Sequence, residues 1–137
     1  MFIRCIKLIG FIIIGHGKFA SGIYSACRSY KNNYCNVRVI DFPGNDILKL
    51  DNSIKEAFNE LDRYDSIVVF CDLYEGSPFK SIITNLNYNN KYIVLSGVNL
   101  PIVLEGITIG QYKKCDACNL VKILKKQFPE TLYLNIS

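Results

Sequence analysis

The only histidine of the chain, His16, lies between Gly15 and Gly17 at the end of an apolar run. Imidazole can act as a nucleophile, a base or a ligand near neutral pH, and the flanking glycines leave its ring unshielded by neighbouring side chains. The apolar run predicts a buried strand, and open α/β sheets place ligands at the carboxyl ends of their strands. His16 is therefore the first candidate for chemistry. The alternative is a structural histidine with a satisfied hydrogen bond.

A second candidate, Asp72, follows the apolar run of residues 66–71. Such a run is typical of a strand that is covered on both faces of a parallel sheet. If the strand order is 2-1-3-4-5, strands one and three are neighbours and Asp72 lies beside His16. A carboxylate that accepts a hydrogen bond from one ring nitrogen fixes the tautomer and leaves the other nitrogen free to attack. The alternative is a solvated carboxylate at a strand end.

The third group of candidates is the start of a predicted helix at Ser77 and Pro78. The amides of Gly76 and Ser77 would line this helix start, where free N–H groups and the helix dipole favour an anion. A phosphoryl group fits that description. Ser77 is equally well explained as a plain N-cap. A phosphoryl-binding role is supported by its predicted place in the same crevice as His16 and Asp72.

Alternating strands and helices must position these residues. The sequence predicts one domain over residues 1–137, a doubly wound α/β fold with a mostly parallel five-stranded sheet of order 2-1-3-4-5. Residues 106–110 favour neither state, because they combine β-branched residues with two glycines. The other predicted elements are a helix from about Phe19 to Lys31, strand 37–40, a helix with the stripe Ile54, Ala57, Phe58 and Leu61 capped by Asn52 or Ser53, strand 91–95, a short helix from Pro101 to about Glu105, helix 119–128 and a last strand 131–136.

Composition restricts the functional classes. Half of the residues are hydrophobic, which predicts a folded protein. The net charge is +4, but the sixteen Lys and Arg residues are scattered, which argues against nucleic-acid binding. The apolar stretch of residues 8–14 is far shorter than the roughly 20 residues that span a bilayer. No small-residue cleavage site follows it, so we expect no signal peptide and a cytoplasmic protein.

Two further motifs are weaker. Cys115 and Cys118 form a C-x-x-C pair, but one pair with one distant histidine does not complete a zinc site, and no redox-type strand-to-helix turn accompanies it. We therefore expect no metal and no cofactor. Residues 15–20 match G-x-G-x-x-A, and Asp41 ends the second strand, so a dinucleotide-binding domain is an alternative. Histidine has no role in the phosphate turn of that motif, which weighs against this alternative.

Three separated segments together resemble a known family: residues 14–17 with 20–22, residues 72–79, and residues 97–101 through Glu105. They are similar to the enzyme IIA components of the mannose family of the bacterial sugar phosphotransferase system. The resemblance implies a phosphocarrier, a phosphotransferase component in which His16 accepts a phosphoryl group from the histidine phosphocarrier protein and passes it to a histidine of a IIB partner. Asp72 would orient His16, and Gly76 and Ser77 would stabilise the phosphoryl group.

The resemblance also implies partners. Gly17, Lys18, Asn99 and Leu100 would rim the site and meet the partner proteins, which serve a membrane permease of IIC and IID components. Family members are typically homodimers, so the last strand, 131–136, is expected to be antiparallel and exchangeable between subunits. A regulatory or binding module on the same fold is the alternative function.

One position departs from the family pattern. The family usually has two glycines before Ser-Pro, and Glu75 replaces the first of them. A carboxylate near an incoming phosphoryl group repels it unless the side chain points away. Glu75 therefore predicts an altered transfer step.

Overall fold

The computed structural model describes residues 8–31, 33–85, 92–112, 115–128, 131–133 and 135. In this part of the chain, four strands alternate with four helices, and a fifth helix follows the fourth. The strands are β1 (Ile9–His16), β2 (Val37–Phe42), β3 (Ser66–Cys71) and β4 (Tyr92–Ser96). The helices are α1 (Phe19–Cys27), α2 (Ile47–Glu60), α3 (Ser77–Thr84), α4 (Leu100–Tyr112) and α5 (Ala117–Gln127).

The strands form one parallel sheet of order β2-β1-β3-β4. β1 lies between β2 and β3, and Ile14 pairs with Ile40 on one side and with Cys71 on the other. The carboxyl ends of β1 and β3 therefore lie side by side at one edge of the sheet. The predicted order of the first four strands is confirmed.

The predicted fifth strand is wrong for the residues that can be assessed. Residues 131–133 and 135 form no strand, while 134 and 136 lie outside the described residues. Leu132 and Tyr133 are 93% and 88% exposed, and Thr131 is hydrogen-bonded to Asn99. A strand exists only where a neighbouring strand satisfies its backbone groups, and a local β-type pattern does not reveal whether such a neighbour exists.

Helices cover both faces of the sheet, as a doubly wound fold requires. Alternate residues of β1 point to opposite faces. Phe11 and Ile13 pack in the cluster that includes residues of α1, α4 and α5, while Ile12 and Ile14 pack in the cluster that includes residues of α2 and α3. Because β1 is buried on both faces, only its last residue, His16, reaches the solvent.

The segment 106–110, which the sequence left unassigned, is helical, and it extends α4 well beyond Glu105. An added Cβ at Gly106 would lie 2.7 Å from Phe70 Cζ, and one at Gly110 would lie 2.7 Å from Phe11 Cζ. The two phenylalanine rings stack with centroids 5.7 Å apart. The glycines thus let α4 approach this stack closely, and tertiary packing overrides their low helix propensity.

Several helix ends differ from the predicted ends. α2 begins at Ile47, because Asp46 caps it by accepting a hydrogen bond from Lys49 N–H at 3.1 Å, so Asn52 and Ser53 lie inside the helix. α1 ends at Cys27, four residues before Lys31. β2 extends two residues further, to Phe42, and α5 begins at Ala117. The apolar pattern of the helix predicted to start at Ser77 runs to Leu86; Leu86, and Lys91 of the predicted strand 91–95, lie outside the described residues.

A membrane-crossing helix would need both length and continuous apolarity. None of the helices within the described ranges has the two together.

Candidate functional site

His16 and Asp72 meet where β1 and β3 end. His16 Nδ1 lies 2.8 Å from Asp72 Oδ2, and the same oxygen accepts the backbone N–H of His16 at 2.8 Å. The other carboxylate oxygen, Oδ1, accepts the backbone N–H of Leu73 at 2.8 Å. An ionised carboxylate is an acceptor only, so Nδ1 carries the ring proton in the neutral imidazole and Nε2 carries the free lone pair. The contact predicted from the strand order is therefore present.

These hydrogen-bond donors stabilise the ionised form of the Asp72 carboxyl. Burial raises the pKa of the Asp72 carboxyl, but the hydrogen bonds from the backbone and ring of His16 and from the backbone of Leu73 outweigh it, so the pKa is lowered. The Asp72 side chain is 10% exposed and that of His16 is 42% exposed. A fixed, ionised carboxylate thus orients an imidazole whose other face is open to solvent.

Gly76 lies against the Cε1–Nε2 edge of the His16 imidazole. An added Cβ at this position would lie 2.6 Å from His16 Cε1 and 3.3 Å from Nε2. Gly76 is also the N-cap of α3, with φ −74° and ψ 172°, so Ser77 is the first helical residue rather than the cap. The first N–H groups of a helix have no intrahelical partner. The free ring nitrogen and the amino end of α3 therefore converge at Gly76.

Gly15 and Gly17 shape the two sides of the histidine turn. A Cβ at Gly15 would lie 2.9 Å from Asp72 Cγ, so a larger residue would push the carboxylate away from the ring. Gly17 has φ +56°, and its N–H donates to the Phe42 carbonyl at 2.8 Å. The ring of Phe42 meets His16 edge-on, with centroids 6.3 Å apart.

Asp41 contributes to the site in a way that sequence reasoning missed. Lys18 is the N-cap of α1, but its side chain makes no capping bond. Asp41 Oδ1, at the end of β2, instead accepts the N–H of Ser21 at 2.9 Å. A neighbouring strand thus caps the helix that follows the histidine turn, and the carboxylate that the dinucleotide alternative would use is committed to this bond.

The remaining predicted site residues lie further along the same edge. Lys18 is exposed and Gly17 is half-buried beside His16. Asn99 and Leu100 follow β4, and β3 separates β4 from β1. Asn99 Oδ1 accepts the N–H of Ile102 at 3.2 Å, which caps α4, and Leu100 packs partly against the core. The structure thus groups His16, Asp72 and Gly76 tightly, and places Asn99 and Leu100 one strand away.

The loop between β3 and α3 carries both apolar and charged side chains that are exposed. Leu73 and Tyr74 are 56% and 71% exposed, and the Tyr74 ring meets Phe79 edge-on with centroids 5.0 Å apart. Glu75 is exposed and has φ +64°. This loop, which leads into Gly76, therefore presents apolar groups and a carboxylate to the solvent.

One cysteine, Cys71, is buried next to Asp72, and two others lie at the start of α5. Cys71 is fully buried with Sγ 3.7 Å from Asp72 Oδ1, and burial raises the pKa of this thiol to about 11. It therefore stays a neutral thiol and packs as a small apolar residue in the strand. Cys115 is half-buried and precedes Asp116, the N-cap of α5, while Cys118 is exposed in the first turn of that helix.

This arrangement can be compared with known proteins. A protein-family model, EIIA-man, described as PTS system fructose IIA component, matches residues 10–121. PTS denotes the phosphoenolpyruvate-dependent sugar phosphotransferase system. The chain belongs to the EIIA-man family. The predicted family membership is therefore confirmed, and the match includes both His16 and Asp72.

Individual proteins that are similar to this EIIA-man protein are also EIIA components. The PTS system fructose-specific EIIA component of Bacillus subtilis (strain 168) is 23% identical over 122 residues, which cover 88% of this chain and 84% of that protein. The crystal structure of the phosphotransferase system component EIIA from Streptococcus agalactiae has a TM-score of 0.77 at 25% identity and covers 92% of this chain and 96% of its own. The mannose/sorbose specific IIA subunit from Enterococcus faecalis shares the fold, with a TM-score of 0.72 at 16% identity and coverages of 96% and 100%.

Proposed function

We propose that this EIIA-man protein is a phosphocarrier that takes a phosphoryl group onto Nε2 of His16 from the histidine phosphocarrier protein and passes it to a histidine of a IIB component. The observation that carries the proposal is the 2.8 Å contact between His16 Nδ1 and Asp72 Oδ2. It favours the tautomer with the ring proton on Nδ1, and this supports Nε2 as the nucleophile because its lone pair is then free.

The transfer is an in-line displacement at phosphorus. The Nε2 lone pair forms the new N–P bond while the N–P bond to the donor histidine breaks, and the donor nitrogen keeps that electron pair. Positive charge that develops on the His16 ring is stabilised by the Asp72 carboxylate. The equatorial phosphoryl oxygens meet the amide groups of Gly76 and Ser77 at the start of α3, where the helix dipole favours an anion. Positioning and electrostatics supply the catalysis.

Partner proteins would dock around this crevice. Gly17 and Lys18 directly follow His16, and the exposed Leu73 and Tyr74 directly follow Asp72. Asn99 and Leu100 extend the rim toward β4. A donor and an acceptor must each bring a histidine to the same Nε2, so we propose that both use this one rim in turn.

A homodimer is part of the same proposal. β4 is an edge strand of the described sheet, and its five residues are all half-buried. An edge strand leaves backbone N–H and C=O groups unpaired. We propose that the segment 131–136 of a second subunit reaches this edge. Light scattering during gel filtration should give twice the chain mass, and removal of residues 131–137 should give the monomer mass.

The decisive experiment is intact-mass analysis after incubation with phosphoenolpyruvate, enzyme I and the histidine phosphocarrier protein. The wild type should gain one acid-labile phosphoryl group, and His16→Ala should gain none. A folded wild type that gains no mass would contradict the proposal. Addition of a purified IIB component should then discharge the wild type. Stable phosphorylation in the presence of every IIB partner from the same genome would instead favour the regulatory alternative.

A further inference from the structure

Glu75 adopts a backbone conformation that favours glycine. It has φ +64° and is the one residue other than glycine with a positive φ in the part of the chain that the structure describes. A side chain in this left-handed region crowds the following carbonyl, so the conformation costs more for glutamate than for glycine. Strained residues of this kind persist mostly at functional sites. The presence of glutamate here therefore calls for a functional reason.

The backbone of Glu75 lies close to the proposed nucleophile, His16 Nε2. An added Cβ at Gly76 would lie 3.3 Å from His16 Nε2. The Glu75 Cα is one peptide unit, about 3.8 Å, from the Gly76 Cα, so it lies within roughly 9 Å of Nε2. This Cα separation is comparable to the Debye length of about 8–10 Å at physiological salt. Wherever the flexible side chain holds the carboxylate on the Nε2 side of this Cα, solvent ions screen its interaction with Nε2 only in part.

Within the described ranges, the Glu75 carboxylate has no direct ion-pair or hydrogen-bond partner. It is exposed, and it makes neither an ion pair nor a hydrogen bond with any residue that the structure describes. The nearby carboxylate of Asp72 differs, because it accepts three N–H groups. A phosphoryl group that arrives on Nε2 with about two negative charges thus meets one compensated and one uncompensated carboxylate.

We propose that Glu75 raises the phosphoryl-transfer potential of His16 by repelling the phosphoryl group bound there. The proposal rests on the proposed phosphocarrier function. The transfer is reversible: an N–P bond to the donor histidine is exchanged for an N–P bond to Nε2, and two negative charges move toward Glu75. Repulsion shifts this equilibrium back toward the donor and makes the phosphorylated chain a stronger donor to its acceptor. Glutamate at this position thus favours donation of the phosphoryl group to the acceptor over its retention on His16.

The test is the equilibrium between the chain and the phosphorylated histidine phosphocarrier protein, mixed in equal amounts after enzyme I has been removed. Intact mass gives the phosphorylated fraction of both proteins in one spectrum. Glu75→Gln removes the charge and keeps a side chain in the left-handed conformation. It should raise the equilibrium constant for phosphorylation of His16 several-fold, on the order of five-fold at low salt. The difference should shrink at about 1 M salt, where the Debye length is about 3 Å.

Two variants separate charge from backbone strain. Glu75→Gly removes both, and it should shift the equilibrium as Glu75→Gln does. Glu56→Gln removes another exposed carboxylate, in the second half of α2, and it should leave the equilibrium at the wild-type value. An unchanged constant in Glu75→Gln, or a shift in Glu75→Gly alone, would overturn the role of the charge while phosphorylation of His16 still stands. Failure of the wild type and all variants to accept any phosphoryl group would overturn the phosphocarrier function itself.

Discussion

Asp72 holds His16 with an acceptor geometry that only a carboxylate can supply. One oxygen accepts the ring and backbone N–H groups of His16, and the other accepts the N–H of Leu73. Asparagine has one oxygen and one NH₂ group, so one side of the contact would face N–H against N–H. Either the imidazole or the loop after β3 must then shift.

We expect Asp72→Asn to slow phosphorylation of His16 by roughly a hundred-fold, because the ring loses the acceptor that fixes its tautomer. The initial rate of mass gain with the histidine phosphocarrier protein measures this effect. Circular dichroism should show an unchanged fold. Wild-type kinetics in this variant would remove Asp72 from the mechanism.

The same carboxylate makes stability depend on pH. The folded state lowers the pKa of Asp72, and the unfolded value is about 3.9. Ionised Asp72 thus stabilises the fold above that value, and the contribution is lost as the pH falls through the lower, folded pKa. We expect wild type to exceed Asp72→Asn by about 1–3 kcal/mol in the free energy of unfolding at pH 7. Urea titrations at a series of pH values should show this gap closing below about pH 4; a constant gap would contradict the expectation.

Gly76 gives a steric test of the site. Gly76→Ala should abolish or strongly slow phosphorylation, because the new methyl group would lie 2.6 Å from His16 Cε1 and would displace the ring. The backbone at φ −74° accepts alanine without strain, so thermal unfolding should change little. Gly22→Ala is the matched control, because a Cβ there meets nothing within 4 Å. It should keep the wild-type rate, and equal rates in both variants would show that the ring tolerates the methyl group.

At the scale of elements, the start of α1 depends on a residue of β2. Asp41 caps α1 through Ser21 N–H, and α1 begins directly after the histidine turn. We expect Asp41→Ala to lower the free energy of unfolding by about 1 kcal/mol and to slow phosphorylation several-fold by loosening Gly17 and Lys18. Asp46→Ala, which removes a cap from α2, should cost similar stability without the kinetic loss. Chemical unfolding and initial rates measure the two effects, and equal rates in both variants would confine Asp41 to stability.

Elements that local patterns define were predictable from the sequence. The apolar run 66–71 gave the bounds of β3, and Ser77-Pro78 gave the start of α3. Helix starts set by capping were less accessible: several polar residues precede the apolar stripe of α2, and the structure uses Asp46. Residues 106–110 could not be assigned, because their helical state depends on packing against Phe11 and Phe70. The expected fifth strand depends on a partner that a local pattern does not report.

In the site, too, some features were predictable from the sequence and others depend on tertiary packing. The adjacency of His16 and Asp72 follows from strand order, so topology alone predicted it. The approach of Gly76 to the imidazole, the cap from Asp41 and the left-handed Glu75 are products of three-dimensional geometry. A sequence pattern carries their residue types but not these contacts. The catalytic and partner-binding roles remain predictions for the experiments above.

At the scale of the whole molecule, the packing of α4 on the sheet tests the core. Gly106→Ala gains helix propensity worth about 1 kcal/mol, but its methyl group would lie 2.7 Å from Phe70 Cζ and 3.1 Å from Leu124 Cδ1. Overpacking of this kind costs about 1–3 kcal/mol, so we expect net destabilisation. Thermal unfolding should show a lower midpoint for Gly106→Ala and an equal or higher midpoint for Gly22→Ala. A raised midpoint in Gly106→Ala would mean that the Phe70 ring moves aside at little cost.

The pairing of β1 with β3 also sets an order of events in time. The hydrogen bond between His16 and Asp72 joins residues 56 positions apart, and β2 and α2 lie between them in the chain. During synthesis, β1 leaves the ribosome long before its second neighbour exists, and non-local parallel pairing is slow to form. His16, the proposed nucleophile, therefore emerges early, and its contact with Asp72 forms late. In a growing or refolding chain, the onset of His16 phosphorylation is thus expected to report when β3 has paired with β1.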